Sequence, residues 1–101
     1  MTPMVPEIQP APGLILSRIV HGQMRLSEWN LSPEALYALV QTLMEWGITT
    51  FDHADIYGNY TCEARFGEML RHHPEIRPEI QLVTKCGIRL LTDHNPGLKI
   101  K

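Results

Sequence analysis

The segment ITTFDHADIYG, residues 48–58, decides the fold of this chain. It opens with four β-branched or aromatic residues, a short apolar run that is typical of a strand buried on both faces. The run then changes to polar residues, beginning with Asp52. We therefore expect a buried strand whose carboxyl end carries the chemistry.

A helix is predicted on each side of this strand. The first begins at Ser32, a residue type that caps helix N-termini, followed by Pro33 at the first helical position. Apolar residues then recur at helical spacing, and Gly47 follows as a C-terminal glycine. The members of that apolar face are Leu36, Leu39, Val40, Leu43 and Met44. The second helix starts after Thr61 and ends at residues 72–74, where proline stops it.

Two further strands are predicted, one before the first helix and one after the second. Residues 14–20 form the earlier strand, preceded by a hairpin arm that turns near Pro12 and Gly13, and residues 80–85 form the later one. Residues 92–101 have the pattern of a loop. Strands that start roughly 30 residues apart, with helices between them, are βαβ units with parallel strands. The fold class is therefore α/β.

Composition excludes several classes of protein. The chain has 101 residues, the size of one ordinary domain, and a net charge of −2, too close to neutral for a nucleic-acid partner. No apolar stretch approaches the roughly 20 residues that cross a bilayer, and no secretory signal is visible. Cys62 and Cys86 lack metal-site spacing and are expected to be free thiols in a reducing cytoplasm. We expect a cytoplasmic protein that binds neither nucleic acid nor membrane.

Polar residues follow the predicted strands, and parallel strands bring such ends to one rim. Asp52 and Lys85 close neighbouring strands, so a buried ion pair between them is the most favourable arrangement. Tyr57, five residues after Asp52, can lean over that pair. A phenol near an ammonium ionises more readily, which makes Tyr57 a candidate general acid for a carbonyl oxygen. Each residue alone also has a purely structural interpretation, but the three together at one rim favour catalysis.

Other residues near this rim allow alternatives. His53 and Asp55 form a His-x-Asp pair of the kind found in metal sites, but no second His or Glu cluster follows the last strand, so no metal is expected. Met24 and Trp29 are candidates for the walls of a substrate pocket, with simple packing in the loop as the alternative.

These motifs closely resemble those of the aldo-keto reductase superfamily, and most of all its bacterial oxidoreductase branch. The segments that carry the resemblance are residues 52–58, Glu63, residues 66–68 and residues 83–88. The resemblance runs from about Arg18 to Ile88. It implies about three β/α units from the N-terminal portion of a (β/α)8 TIM barrel with parallel strands. Residues 1–101 would then be a partial NADP-dependent oxidoreductase domain, truncated at its C-terminus.

The resemblance also implies an activity, the reduction of an aldehyde or ketone by NADPH without metal or flavin. Tyr57 would donate the proton, Lys85 would make the phenol more acidic, and Asp52 would support Lys85 and lie near the nicotinamide. The family's first βα loop touches the nicotinamide end of the cofactor. In this sequence that loop consists of Gly22, Gln23, Met24 and Arg25.

The chain departs from the family in its length. A (β/α)8 barrel normally needs at least about 200 residues. The family's histidine at the end of strand four has no counterpart, because His94 lies in a predicted loop with no strand before it. We therefore expect the isolated chain to be inactive and to associate through exposed barrel edges. The alternative is a non-catalytic truncated or split-gene fragment that acts, if at all, through partner association.

Overall fold

The computed structural model describes residues 4–90, which form two separate sheets. The strands are β1 (Glu7–Ala11), β2 (Leu14–Ser17), β3 (Val20–Gly22), β4 (Thr50–Asp52) and β5 (Gln81–Val83). The helices are α1 (Leu26–Trp29), α2 (Pro33–Glu45), α3 (Tyr57–Tyr60), α4 (Cys62–His72) and a 3₁₀ helix (Pro74–Glu79). Strands β1 and β2 form an antiparallel hairpin, and β3, β4 and β5 form a parallel sheet in that order. The α/β class is as predicted, and these residues form an open sheet rather than a closed barrel.

The first predicted strand is divided in the structure. The sequence predicts one strand over residues 14–20, but β2 ends at Ser17 and β3 begins at Val20. The reason is the Ser17 hydroxyl, which accepts the backbone N–H groups of Thr49 and Thr50 at 3.1 and 3.0 Å and donates to the Ile19 carbonyl at 2.7 Å. The chain therefore bends between the two sheets. The predicted hairpin is confirmed, since β2 pairs with β1 across the turn at residues 12–13.

The register of the parallel sheet decides which residues meet. Gly22, Asp52 and Val83 are neighbours at the carboxyl end of the three strands. At the opposite end of β4, the buried Thr50 hydroxyl accepts the Ser17 N–H at 2.9 Å and donates to the Gln81 side-chain carbonyl at 2.9 Å. The hairpin is therefore attached to the start of the sheet, which leaves the other end free for the site.

Helix α2 begins and ends as predicted. The Ser32 hydroxyl accepts the Ala35 N–H at 3.1 Å, and Gly47 has a φ of +93° after the last turn. The second predicted helix also forms, but Thr61 does not cap it, because its hydroxyl donates to the Gly58 carbonyl at 2.6 Å instead. The single turn α1 directly follows the first βα loop, residues 22–25.

The core lies between helices α2 and α4 and the face of the parallel sheet that carries Phe51. Phe51 is completely buried and packs against Phe66 with 5.5 Å between ring centres. The other large members of the core are Leu26, Leu36, Val40, Leu43 and Met69. Within residues 4–90, no helix combines the length and the apolar character that a membrane crossing requires. The predicted loop of residues 92–101 and its His94 lie outside the described residues.

Candidate active site

Asp52 and Lys85 meet at the carboxyl end of the parallel sheet. The Lys85 ammonium donates to Asp52 Oδ1 at 2.8 Å and to the His53 main-chain carbonyl at 2.7 Å. The hydrogen bond from Lys85 to Asp52 is the main reason that the pKa of Lys85 is raised, so the ammonium keeps its charge through neutral pH.

The predicted burial of this pair is wrong. The side chains of Lys85 and Asp52 are 50% and 33% exposed. Asp52 ends β4, Lys85 lies two residues beyond the end of β5, and in the described part of the chain no element covers that rim. The pair is therefore half exposed to water.

Tyr57 lies beside the pair at the start of α3. The Lys85 Nζ is 5.3 Å from the centre of the Tyr57 ring, within the range of a cation–π contact. The backbone after Tyr57 is unusual, because Gly58 and Asn59 both have left-handed conformations, with φ of 64° and 56°. A Cβ at Gly58 would also lie only 2.6 Å from Cys62 Sγ, so glycine is required there. The left-handed turn at residues 58–59 follows Tyr57 directly, between this rim and α4.

The first βα loop lies directly against Asp52. The Gln23 N–H donates to the Asp52 main-chain carbonyl at 3.0 Å. The Gln23 side chain is buried and turned inward, with its Nε2 2.7 Å from His21 Nδ1. The Gln23 carbonyl in turn accepts the Leu26 N–H at 3.1 Å, so both main-chain groups of this buried residue are bonded within the chain.

The other predicted cofactor residues of this loop are open. A Cβ at Gly22 would meet no atom within 4 Å, and Met24 is exposed. Arg25 is also exposed and lies 3.4 Å from the Glu28 carboxylate. Gly22 is thus the open neighbour of Asp52 in the sheet, and Met24 and Arg25 follow it on an exposed part of the loop.

A shallow recess of about 190 Å³ lies beside Tyr57 and Lys85. Its apolar walls include Ile56 and Ile88, which the sequence analysis did not single out, although both flank the motif residues. Neither of the predicted wall residues, Met24 and Trp29, lines this recess. Trp29 packs against His21 instead, with 6.0 Å between ring centres. Its contact is therefore the one expected from simple packing in the loop, the alternative to a pocket wall.

His53 and Asp55 do not converge as metal ligands would. The His53 ring is buried against the Phe66 ring, 4.7 Å between centres in an edge-on arrangement, and burial lowers its pKa. The Asp55 N–H, in contrast, donates to the Lys85 main-chain carbonyl at 3.1 Å. Residues 4–90 contain no group of three His, Cys, Asp or Glu side chains able to hold a metal ion. The His53 carbonyl, which accepts from Lys85, could not be predicted from the sequence, since no side-chain pattern reports a main-chain acceptor.

Comparisons with known proteins place these residues in a family. Residues 18–100 match the model of the aldo/keto reductase family. The chain is 53% identical over 90 residues to an uncharacterized oxidoreductase, YcsN, of Bacillus subtilis, covering 89% of this chain and 30% of that protein. It is 48% identical over 86 residues to the oxidoreductase YdhF of Escherichia coli, covering 84% of this chain and 29% of that protein.

A third relative has a more specific name. The chain is 42% identical over 89 residues to a 6-dehydroglucose reductase of Agrobacterium fabrum, covering 87% of this chain and 30% of that protein. The chain thus spans a little under a third of the length of these relatives. The family match and the identities together show that this chain belongs to the aldo/keto reductase family.

Proposed function

We propose that the protein containing this chain is an oxidoreductase that reduces an aldehyde or ketone with NADPH, and that Tyr57 donates the proton. The observation that carries this proposal is the Lys85 ammonium, which contacts the Asp52 carboxylate and lies over the Tyr57 ring at one rim. The names of the relatives, two oxidoreductases and a reductase, support the same class of reaction. The parallel strands alternating with helices would be the first part of a (β/α)8 barrel.

The three side chains have separate roles in this mechanism. Reduction of a carbonyl places negative charge on its oxygen, so a nearby acid accelerates the reaction. Tyr57 would supply that proton: its O–H bond breaks as the new O–H bond to the substrate forms. The positive charge of Lys85 favours the phenolate that remains. Asp52, 2.8 Å from the ammonium, holds that charge at the rim instead of in solvent.

The residues of the rim also fit the nicotinamide end of a cofactor. When bound, NADPH supplies the hydride for the carbonyl carbon. Gly22 has open space where a side chain would stand, so a flat ring can approach its backbone. Met24 offers an exposed apolar surface, and Arg25 and Asp52 offer charged groups at the edges. We assign the nicotinamide end of the cofactor to these four residues, and Gln23 would act indirectly, by fixing the loop through its hydrogen bond to Asp52.

The substrate would be a small carbonyl compound. The recess beside Tyr57 has the size for part of such a molecule, and Ile56 and Ile88 would contact its apolar portion. A substrate bound there lies next to the phenol that protonates it, because Tyr57 is itself part of the recess wall. We propose no role for nucleic acid, membrane or metal in this reaction.

A tyrosine substitution tests the proton donor. In the protein that contains this chain, Tyr57→Phe should lower the rate of NADPH-dependent carbonyl reduction by about 10²- to 10⁴-fold, the usual contribution of a positioned acid. Cofactor binding, followed by nicotinamide fluorescence, should stay unchanged. Tyr60→Phe is the matched control, because Tyr60 lies three residues on and its hydroxyl accepts the Leu90 N–H at 2.9 Å. A near-normal rate in Tyr57→Phe, or an equal loss in both variants, contradicts the assignment.

A second candidate function is association without catalysis. It is favoured by the apolar side chains that the outer strands expose, Val20 on β3 and Leu82 on β5, each with an unpaired strand edge among residues 4–90. Such edges would pair with another chain. The 101-residue chain should then elute as an oligomer in size-exclusion chromatography and bind no NADPH, whereas micromolar binding of NADPH by a monomer contradicts this alternative.

A further inference from the structure

Among residues 4–90 the Lys85 ammonium has two acceptors, and only one of them is a side chain. Asp52 Oδ1 lies at 2.8 Å, and the main-chain carbonyl of His53 lies at 2.7 Å. Two acceptors define the direction of the ammonium much more closely than one, and that direction points Lys85 over the Tyr57 ring. Whatever fixes the His53 carbonyl therefore also fixes Lys85.

The His53 carbonyl is fixed from both sides of the residue. Its own N–H donates to the Val83 carbonyl at 2.7 Å, which continues the pairing of β4 with β5. Its imidazole is only 4% exposed and stands edge-on to the ring of Phe66, a fully buried residue of α4. The backbone of His53 is thus held between the sheet and the helix by a side chain that cannot move without opening the core.

The imidazole acts through its shape and not through a hydrogen bond. Both ring nitrogens lack a partner among residues 4–90. Burial lowers the pKa of His53 first of all, and the charge of Lys85 lowers it further, against the carboxylates of Glu63 on α4 and of Asp52. The ring is therefore neutral at pH 7. A charged ring would place a second cation close to Lys85.

We propose that His53 is a positioning residue: its buried ring, packed against Phe66, fixes the main-chain carbonyl that holds the Lys85 ammonium beside Tyr57. The catalytic meaning of this inference rests on the proposed function. The placement of Lys85, however, can be measured without any turnover.

The lysine content of the chain makes that measurement direct. The 101 residues contain three lysines, at positions 85, 99 and 101, so a sample with isotope-labelled lysine gives three side-chain NMR signals. Lys85→Arg assigns the signal of Lys85, and the other two signals are internal references. Titration of Lys85 is then compared in the parent chain, in His53→Ala and in His53→Phe.

The two His53 variants distinguish the packing of the ring from the chemistry of the imidazole. In His53→Ala the carbonyl loses its anchor, so the pKa of Lys85 should fall, and the neutral fraction of the amine at a given high pH should rise about threefold. His53→Phe keeps a ring against Phe66 and removes no hydrogen bond, so it should restore the parent titration. An unchanged Lys85 in a folded His53→Ala chain overturns the proposal. So does a Phe variant that behaves like the Ala variant.

Two further measurements keep the test decisive. If circular dichroism shows that His53→Ala does not fold, Phe66→Leu takes its place, because it loosens the packing of the His53 ring from the other side. The pKa of Lys85 should then fall as well, and an unchanged pKa overturns the proposal. In the active protein, His53→Ala should lower kcat with little change in KM, and His53→Phe should recover it. A normal rate in Tyr57→Phe would refute the proposed function, whereas the proposal for His53 is decided by the Lys85 titration in variants that keep Tyr57, so the two failures are distinguishable.

Discussion

Removal of the charges of Asp52 and Lys85, singly and together, measures how strongly the pair is coupled. The substitutions are Asp52→Asn, Lys85→Met and the double variant. Each single change removes the attraction between the two side chains while keeping a similar volume. The coupling free energy is the difference between the double variant and the sum of the single ones.

The structure gives the expected size of that coupling. Two unit charges 2.8 Å apart attract by about 1.5 kcal/mol in water and about 6 kcal/mol at a dielectric constant near 20. With half of Lys85 and a third of Asp52 exposed, water stays close to both groups. Measured couplings of exposed pairs are about 0.2–1 kcal/mol. We predict about 1 kcal/mol, because the short contact places this pair at the upper end of that range.

Urea unfolding at low and at high salt is the assay, and the coupling should decrease with salt because the pair is open to ions. The folded state raises the pKa of Lys85, so this stabilisation is fully present at neutral pH and is lost as the pH rises through the raised value. The exposed pair of Arg71 and Glu68, at 2.6 Å, is the matched control and should give about 0.3–0.5 kcal/mol. A coupling above about 3 kcal/mol, the range in which a buried pair responds to loss of a partner, would refute the half-exposed geometry. A coupling of zero at low salt would refute the contact.

Two further predictions concern stability. Ser17→Ala leaves the N–H groups of Thr49 and Thr50 without their acceptor and should lower the free energy of unfolding by about 2 kcal/mol. The control Ser32→Ala removes an exposed helix cap and should lower it by about 1 kcal/mol. Equal losses in urea unfolding would contradict the role of the Ser17 hydroxyl bonds. Gly58→Ala forces a side chain into a left-handed backbone and close to Cys62, so it should lower the free energy of unfolding by about 1–2 kcal/mol or more. The control Gly67→Ala has open space at its Cβ within α4 and should leave that free energy unchanged or raise it by up to about 1 kcal/mol. A Gly58→Ala chain of unchanged stability would show that the turn after Tyr57 is not strained.

The contact between Asp52 and Lys85 is predictable from the sequence because it follows from one regular rule. In parallel strands of similar length, the last residues share one rim, so Asp52 and Lys85 meet once the strands are recognised. Helix α2 is equally predictable, since its cap, proline and apolar spacing are all local signals. The family resemblance rests on these same residues and is confirmed by the match over residues 18–100.

The errors share a different physical cause. Ser17 lies within an apolar run, and only the positions of the Thr49 and Thr50 N–H groups show that its hydroxyl ends a strand there. The exposure of Lys85 depends on which elements cover the rim, and the inward turn of Gln23 depends on the position of His21. The first two outcomes are set by groups distant in sequence, and the third by the three-dimensional shape of a short loop. None of them leaves a pattern in the residues themselves.

The alternation of side chains around β4 explains how the site can hold half-exposed charges without losing the fold. Phe51 and His53 both contact Phe66 on the face of the sheet that packs against helix α4. Asp52, between them, lies at the rim with Lys85. Full burial of a phenylalanine side chain stabilises a fold by roughly 1.5–3 kcal/mol, more than the 1 kcal/mol expected from the ion pair. Phe51 and His53 therefore hold the strand in place, and a substitution of Asp52 should have little effect on stability. A strong loss of activity in Asp52→Asn, at nearly unchanged stability, would follow directly from that division.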